Sequence, residues 1–491
     1  MSRTVRVLQV ASEAFPLIKT GGLADVVGAL PGALAAEGVE IRTLLPLYPP
    51  VRQRLERAEP VLELGELMGG PARLSAGEAA GLALFLLEAD HLYDRPGGPY
   101  HGPDGADWPD NAQRFAALAW AARALGLGAL ATWRPDVVHA HDWQAGLAPA
   151  YLALSGLPRP ATVTTIHNLA FQGQFPASLL AELRLPESAF TIDGVEYYGA
   201  IGFLKAGLVY ADRLTTVSPT YAREITTPAF GMGLEGLLRL RADRLTGIVN
   251  GIDERVWNPA ADPALPAPFD ADRLEDRELC RRALAAELGL DPGAAPLFGV
   301  VTRLTWQKGM DLLLEALPRL LGLGGALAML GTGEAPLEAA FAEAGRGHPG
   351  RIAVRFGYDE RLAHRIFAGA DAILVPSRFE PCGLTQLYGL RYGAVPIVAR
   401  VGGLADTVID ANDAALADAV ATGFQFAPVT VEALVDALER AAALFRDRER
   451  WRVLQRRGMT RAIGWAARAP AYARLYRALL AEAERGSAAR R

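Results

Sequence analysis

The feature of this chain that most constrains its fold is a regular alternation of short β-rich runs with longer runs rich in Ala and Leu. Strand-like runs that alternate with helix-like runs predict βαβ units, and therefore parallel sheets with helices on both faces. The expected strands of the first half are TVRVLQV, EIRTLLP, DVVHAH, ATVTTIHN and DRLTTVSP.

The pattern restarts after a turn-rich segment that ends near Pro268, with APLFGVVTRL, GALAMLGTGE, RIAVRFGYD, DAILVPS and AVPIVARVGG as the next expected strands. A chain of 491 residues is too long for one hydrophobic core. We therefore predict an α/β fold with two doubly wound, Rossmann-like domains and a cleft between them. The domains are expected at 1–250 and 251–465, with a C-terminal helix at 466–491 that crosses back onto the N-terminal domain.

The composition is that of a globular protein, with 51% apolar and 21% charged residues. The net charge of −5 argues against a nucleic-acid partner, which would require a basic stripe. No apolar run approaches the length of a membrane span, and the N-terminal apolar run is not typical of a signal peptide. Two distant cysteines, Cys280 and Cys382, fit a reducing compartment, so we expect a cytoplasmic protein without a membrane partner.

The string GGLAD occurs twice, in KTGGLADVVGALP at 19–31 and in VGGLADTV at 401–408. Each copy is expected to follow a strand and to begin a helix, where ligands of doubly wound folds bind. Glycines at such a turn allow a ligand or another backbone segment to come close, because they have no Cβ. The alternative is that these are two ordinary strand-to-helix turns.

The segment FEPCGLTQLYGL follows the expected strand DAILVPS. Its backbone N–H groups at a helix start favour an anion, and Glu380 either binds sugar hydroxyls or is a surface carboxylate. We interpret Cys382 as a small residue with a useful N–H rather than as a nucleophile. The turn at this helix start is formed by Cys382, Gly383, Leu384 and Thr385.

Two cations, Arg303 and Lys308, follow another expected strand in TRLTWQKG. Their spacing suits a diphosphate leaving group, although two solvated cations would be the commoner arrangement. Tyr358 follows the strand RIAVRF and either stacks on a base or packs against the protein.

Histidines end two expected strands of the first half, in VVHAHDW and TTIHN. A metal site is weakly supported, because no third ligand accompanies His139 and His141. We expect one of these histidines to be a buried structural group and Asp142 to cap a helix. His167 and Asn168 lie at the end of the other strand. The chain has no Walker-type loop and no Gly-x-Ser-x-Gly motif, so metal-dependent phosphoryl transfer and triad hydrolysis have little support.

Nine segments of the chain, in this order, resemble the bacterial glycogen synthase family: KTGGLADVVGALP, HAHDW, TIHNLAFQG, TVSPTYAREI, GLEGLL, GIVNGID, TRLTWQKGMDLL, EPCGLTQLYGLRYG and VGGLADTV. The resemblance implies the two-domain GT-B glycosyltransferase fold. It also implies retaining transfer of glucose from ADP-glucose to the non-reducing end of an α-1,4-glucan such as glycogen, without a metal or other cofactor. The N-terminal domain would then be the acceptor side and the C-terminal domain the nucleotide-sugar side.

The resemblance further implies roles for individual residues of the second domain. Arg303 and Lys308 match the family's cations on the diphosphate, and the turn at 382–385 matches its phosphate- and sugar-binding helix start. Tyr358 matches the aromatic residue that stacks on adenine, and Glu380 matches the acidic residue near the sugar hydroxyls.

In the first domain, the resemblance implies a loop that closes over the donor and a pocket for the transferred sugar. Lys19, Gly21 and Gly22 match that loop, and His167 matches the histidine beside the transferred glucose. The polar groups implied for the sugar pocket are Asp25, Asp142 and Asn168.

The sequence departs from the family pattern at Gln144, where a histidine is common, at Met232, where an aromatic residue is usual, and in the C-terminal segment IGWAARAPAYARLY. Alternatives are a GT-B enzyme that uses UDP-glucose or another acceptor and a catalytically silent glucan-binding protein. Tyr388 stands where many related transferases have a second glutamate, which favours the glycogen synthase branch. A phosphorylase would need a pyridoxal phosphate lysine and a much longer chain.

Overall fold

The computed structural model describes residues 3–488, with side chains through Arg485, and the chain forms two compact units. The first contains the chain up to Val217, residues Ala222–Gly251 and the segment from Trp465 onward. The second contains Ser218–Tyr221 and Ile252–Gly464.

The strands are numbered in chain order. They are β1 Val5–Val10, β2 Val39–Pro46, β3 Arg57–Glu66, β4 Pro71–Ala79, β5 Leu82–Glu88, β6 Val137–His141, β7 Ala161–Ile166, β8 Gln174–Pro176, β9 Glu196–Tyr197, β10 Ala200–Gly202, β11 Arg213–Thr216, β12 Leu245–Gly247, β13 Leu297–Val301, β14 Ala326–Gly331, β15 Ile352–Phe356, β16 Ala372–Val375, β17 Val395–Ala399 and β18 Phe424–Phe426.

The α-helices are numbered in the same way. They are α1 Gly22–Ala35, α2 Pro49–Arg52, α3 Asp90–Tyr93, α4 Asn111–Gly126, α5 Leu147–Ala153, α6 Phe203–Tyr210, α7 Pro219–Glu224, α8 Glu235–Leu240, α9 Arg277–Leu288, α10 Met310–Gly322, α11 Ala335–Gly347, α12 Glu360–Gly369, α13 Thr385–Arg391, α14 Gly402–Thr407, α15 Asp413–Ala417, α16 Val431–Phe445, α17 Arg448–Met459 and α18 Ala469–Ala488.

The first unit is built on a sheet with the strand order β12-β11-β7-β6-β1-β2-β5-β4-β3. The strands from β12 to β5 pair in parallel, whereas β4 pairs antiparallel with both β5 and β3. Residues of β6 are buried throughout, as expected for a strand covered on both faces. Strands β8, β10 and β9 form a separate small sheet.

The sheet of the second unit is parallel throughout, in the order β15-β14-β13-β16-β17-β18. The order runs outward from β13 on one side and from β16 on the other, so the chain reverses direction across the sheet between these two strands. In doubly wound folds a ligand binds at this switch point, outside the carboxyl ends of the strands. The fold therefore predicts a ligand-binding site among the residues that follow β13 and β16.

Two separate helices, α17 and α18, form the C-terminal part of the described chain. Helix α17 ends at Met459 in the second unit, and α18 begins at Ala469 in the first, with Pro470 in its first turn. Proline suits that position because its missing N–H would have no helical acceptor there. The two helices therefore belong to different cores.

Helix α18 belongs to the hydrophobic core that covers one face of the first sheet. Tyr472 and Tyr476 are buried there with Leu30 and Leu34 of α1 and Val7 of β1. The helix thus completes a core whose other members are distant in sequence and include Val137 of β6, Val163 of β7 and Ile248.

We expect Tyr476→Ala to destabilise the first unit by about 3 kcal/mol or more, the cost of deleting a buried aromatic side chain. Arg474→Ala, on the exposed face of the same helix, should change stability by less than about 0.5 kcal/mol. Urea unfolding followed by circular dichroism measures both. Equal midpoints for the two variants would contradict the packing of α18 on the first sheet.

Candidate active site

The carboxyl edge of the second sheet gathers several predicted residues around a small cavity. The segments after β13 and β16 supply its polar side chains, and the start of α13 supplies its backbone. The lining residues are Thr302, Lys308, Met310, Leu374, Val375, Pro376, Ser377, Glu380, Gly383, Leu384 and Thr385.

A charged hydrogen bond joins the two polar segments of this cavity. The Lys308 ammonium donates to Glu380 Oε2 at 2.6 Å, and Ser377 Oγ donates to the same oxygen at 2.9 Å. The side chains of Lys308 and Glu380 are only 17% and 9% exposed. Because both are shielded from water, the pair is held in place more firmly than a surface ion pair would be.

The loop that carries both cations is held against the segment after β16 by Arg378. Its guanidinium binds both carboxylate oxygens of Asp311 at 2.7 Å and donates to the carbonyl of Trp306 at 2.7 Å. At the end of this loop, Gly309 has φ +67°, and a Cβ there would lie 2.0 Å from the carbonyl oxygen of Pro376. Only glycine fits this position.

The turn at 382–385 is fixed by Gln386, a side chain that was not among the predicted site residues. Gln386 Nε2 donates to the carbonyls of Cys382 and Gly383 at 3.0 and 2.9 Å, and also to Thr407 Oγ1 at 3.1 Å. Cys382 is buried and does not form a disulfide. Ser377 and Gln386 lie in the segments DAILVPS and FEPCGLTQLYGL, but no sequence pattern distinguishes them, because their contacts depend on the fold of the turn.

The second GGLAD string packs directly against this turn. Gly402 has φ +42°, and a Cβ there would lie 1.9 Å from the carbonyl oxygen of Glu380. The Gly403 N–H donates to that same carbonyl at 3.0 Å. These glycines therefore bring the start of α14 against the backbone that carries Glu380.

Arg303 and Tyr358 lie at the same sheet edge but do not line the cavity. Arg303 is exposed two residues beyond β13. Tyr358 follows β15 with 77% of its surface exposed, and its hydroxyl donates to Glu360 Oε2 at 2.5 Å. Both side chains are therefore available to a ligand that extends out of the cavity.

The carboxyl edge of the first sheet holds a second group of predicted residues, after the neighbouring strands β1, β6 and β7. Beyond β1, Lys19 pairs with Asp25 at 2.8 Å. Glu13 accepts hydrogen bonds from the backbone N–H and the hydroxyl of Thr20 and thereby fixes the loop before α1. A Cβ at Gly21 would meet nothing within 4 Å, and Gly22 begins α1.

Asp142 does not cap a helix, contrary to the sequence prediction. It precedes a short 3-10 turn at Trp143–Ala145 without a side-chain capping bond, and its φ is +55°. Its carboxylate instead accepts a 2.6 Å hydrogen bond from the backbone N–H of His167. Burial, with a smaller contribution from the charge of Glu13, raises the pKa of Asp142 to about 7, against the lowering effect of the N–H groups of His167 and Asn168.

Three histidines form a buried row next to Asp142. The rings of His139 and His141 stack with centroids 4.2 Å apart, and His141 Nδ1 lies 2.8 Å from His167 Nε2. Both nitrogens of His139 are engaged, by Tyr476 at 2.8 Å and by Thr165 at 2.6 Å. His139 is therefore a satisfied structural histidine, whereas His141 contacts the predicted site residue.

Beyond His167, an open groove is lined by uncharged residues. The side chain of Asn168 accepts from the backbone N–H of Ala170 at 3.0 Å, which shapes the turn into this groove. The exposed ring of Tyr198 meets that of Tyr197 edge-on with centroids 4.8 Å apart. The lining residues are Ala170, Gln172, Gly173, Gln174, Tyr197, Tyr198 and Met232.

Between residues 3 and 485, no group of three or more His, Cys, Asp and Glu side chains is arranged to hold a metal ion. None of the helices in that part combines the length and apolar character of a membrane span.

Two family models match the chain. Residues 6–240 match the starch synthase catalytic domain, and residues 289–455 match glycosyl transferases group 1. A glycogen synthase of Rhodopseudomonas palustris is 61% identical over 481 residues, which are 98% of this chain and 99% of the relative. A glycogen synthase of Methylocella silvestris is 59% identical over 97% of this chain and 99% of the relative.

Two solved structures are also similar to this chain. The catalytic domain of starch synthase IV from Arabidopsis thaliana, bound to ADP and acarbose, has a TM-score of 0.88 and 32% identity, over 98% of this chain and 100% of that one. Sucrose-phosphate synthase from Thermosynechococcus elongatus has a TM-score of 0.62 and 18% identity over 97% of this chain and 100% of that one, so it shares the fold.

We expect Gly402→Ala to destabilise the second unit by at least about 2 kcal/mol, because the new Cβ would clash with the carbonyl of Glu380 at a positive φ. The matched variant is Gly21→Ala, at the same place in the other GGLAD string, where φ is −156° and nothing lies within 4 Å of the Cβ. Its stability should stay within about 0.5 kcal/mol of wild type. Thermal unfolding of both variants checks this difference, and a Gly402→Ala protein as stable as Gly21→Ala would refute it.

Proposed function

We propose that this chain, which belongs to the glycogen synthase family, transfers glucose from ADP-glucose to the non-reducing end of an α-1,4-glucan. It is a glycosyltransferase with the two-domain GT-B fold. The observation on this structure that best supports the proposal is the shielded Lys308–Glu380 pair at the switch point of the second sheet. That position suits a nucleotide diphosphate whose negative charge increases as it leaves.

In the second unit, we assign Arg303 and Lys308 to the diphosphate and Tyr358 to the adenine ring. The exposed guanidinium of Arg303 can form two parallel hydrogen bonds with phosphate oxygens. Glu380 and the turn at 382–385 are assigned to the sugar hydroxyls and the phosphates.

In the first unit, we assign His167 to the transferred glucose, with Asp142, Asn168 and Asp25 as polar groups of the sugar pocket. The loop of Lys19, Gly21 and Gly22 is assigned to the donor. The open space at Gly21 leaves room for a ligand next to the backbone.

The groove beyond Asn168 suits the glucan acceptor. Its lining carries no charged side chain, and it offers aromatic faces and amides, which match a neutral chain of hydroxyl-bearing rings. The structure of the Arabidopsis relative was determined with ADP and acarbose bound, and we extend binding of a nucleotide diphosphate and an oligosaccharide to this chain.

The proposed mechanism is electrostatic. The bond from C1 of glucose to the phosphate oxygen breaks through an oxocarbenium-like state, while the cations stabilise the departing ADP. The acceptor hydroxyl forms the new bond to C1 on the face from which ADP leaves, and its proton passes to a phosphate oxygen of ADP. The configuration at C1 is retained without a protein nucleophile, and we propose that no metal takes part.

The test is nucleotide release by the purified protein with glycogen and either ADP-glucose or UDP-glucose, in the presence of EDTA. We expect rapid, glycogen-dependent release of ADP from ADP-glucose and much slower release of UDP. Release from UDP-glucose alone would overturn the proposed donor. Loss of activity in EDTA that added Mg²⁺ restores would overturn metal independence.

In the same assay, Arg303→Ala should lower kcat by about 10²–10³-fold, the scale of removing one preorganised group that stabilises developing charge. Glycogen binding, measured by co-sedimentation, should be unchanged, because the assigned partner of Arg303 is the diphosphate. The control is Arg319→Ala, which removes an exposed cation from the last turn of α10 and should leave kcat within about twofold of wild type. Equal turnover in the two variants would remove Arg303 from the mechanism.

A further inference from the structure

His141 contacts a predicted site residue but has no role in the reaction as described so far. It is the last residue of β6, and its ring is fully buried between His139 and His167. Its Nδ1 lies 2.8 Å from His167 Nε2, a hydrogen-bond distance between two ring nitrogens. A histidine whose ring contacts that of an active-site histidine can control which nitrogen of the active-site ring carries the proton.

The two rings are uncharged near neutral pH. Burial lowers the pKa of His167 to about 3, and burial together with the neighbouring histidines lowers the pKa of His141 well below its usual value. A neutral imidazole has one N–H and one lone pair. The 2.8 Å contact therefore allows two arrangements, in which either His141 or His167 is the donor.

The other nitrogen of His141 distinguishes these arrangements. Among the described residues, His141 Nε2 is buried and has no hydrogen-bond partner. If His167 donated, the proton of His141 would be on that nitrogen, as a buried N–H without an acceptor. If His141 donates from Nδ1, only a lone pair is left without a partner. Orphaned buried N–H groups are the rarer and costlier of the two.

We propose that His141 is a positioning residue, which donates from Nδ1 to Nε2 of His167 and thereby fixes His167 as the tautomer with its proton on Nδ1. His167 can then offer the sugar a hydrogen-bond donor at Nδ1 and at no other ring atom. This inference rests on the proposed function for the role of His167 in the reaction, but the tautomer itself does not depend on that role.

The surroundings of His141 hold it in the geometry that this donation requires. His139 stacks on its ring with an interplanar angle of 29° and is itself fixed at both nitrogens, by Tyr476 of α18 and Thr165 of β7. The backbone N–H of His167 is anchored by Asp142. The ring of His141 and the backbone of His167 are therefore held from outside the pair, which reduces the ordering that substrate binding has to supply.

The kinetic test compares His141→Asn with His141→Asp, two side chains of nearly equal size. The Asn amide nitrogen is bonded to Cγ, as Nδ1 is, so it can still donate to His167, whereas a carboxylate can only accept and would draw the proton of His167 to Nε2. We expect kcat for glucosyl transfer within about threefold of wild type for Asn and about 10²-fold lower for Asp, the scale of losing one preorganised donor. KM for ADP-glucose should change little, because the effect is on orientation for the reaction.

A double-mutant cycle tests whether His141 acts through His167. In a His167→Ala background, His141→Asp should cause little further loss of kcat, since the residue that it positions is absent. Equal kcat for Asn and Asp, or a full additional loss in the His167→Ala background, would overturn the inference and leave the proposed function intact. Wild-type kcat in His167→Ala alone would instead remove His167 from the proposed function.

The tautomer can also be read directly from the wild-type protein, so the inference stays testable if a variant does not fold. Nitrogen-15 chemical shifts of labelled histidine side chains separate protonated from unprotonated ring nitrogens, and the chain has only 7 histidines. The signals of His167 are identified by their loss in His167→Ala. We expect a protonated Nδ1 and an unprotonated Nε2 at neutral pH. A protonated Nε2 would overturn the inference, whatever the kinetics show.

As a control, Thr215→Val removes a hydroxyl that lies 2.5 Å from Thr165 Oγ1, farther along the same buried network. It should lower the melting temperature without moving the nitrogen signals of His167. A shift of those signals in Thr215→Val would mean that the network as a whole, and not His141, sets the tautomer.

Discussion

Parallel pairing of buried strands is the constraint on which both candidate sites depend. In each unit the central strands are covered on both faces, so few residues within these strands can contact a ligand. The carboxyl ends of neighbouring parallel strands lie at one edge, and the first residues beyond them can be polar and still have a fixed backbone. Lys308, Glu380 and Gly402 follow three strands of the second unit, and Asp142 and His167 follow two of the first.

The sequence was sufficient to predict these edges, because long apolar strands and the polar residues after them are local signals. It did not predict the antiparallel strands β3 and β4 that extend the first sheet. Strand β3 is mostly exposed and includes charged residues, so it has no apolar run to mark it. Its pairing is decided by the neighbouring strand and not by its own composition.

Contacts between side chains were harder to predict than strand ends. Lys308 and Glu380 are 72 residues apart, and their 2.6 Å contact joins the same two segments that the Arg378–Asp311 pair joins. Asp142 looked like a helix cap, because an acidic residue before a helix usually is one. At φ +55° its carboxylate is directed to the N–H of His167 instead. Such a backbone conformation is held by tertiary contacts, so no local sequence pattern predicts it.

The two GGLAD strings show that glycine can occupy equivalent positions of the same motif for different structural reasons. At Gly402 the absent Cβ is required by the protein itself, since the carbonyl of Glu380 would lie 1.9 Å from it. At Gly21 the backbone is extended and the space is empty, so nothing within the first unit requires glycine. A ligand close to the backbone would require glycine there. The second copy therefore has a structural cause, whereas the first is consistent with binding.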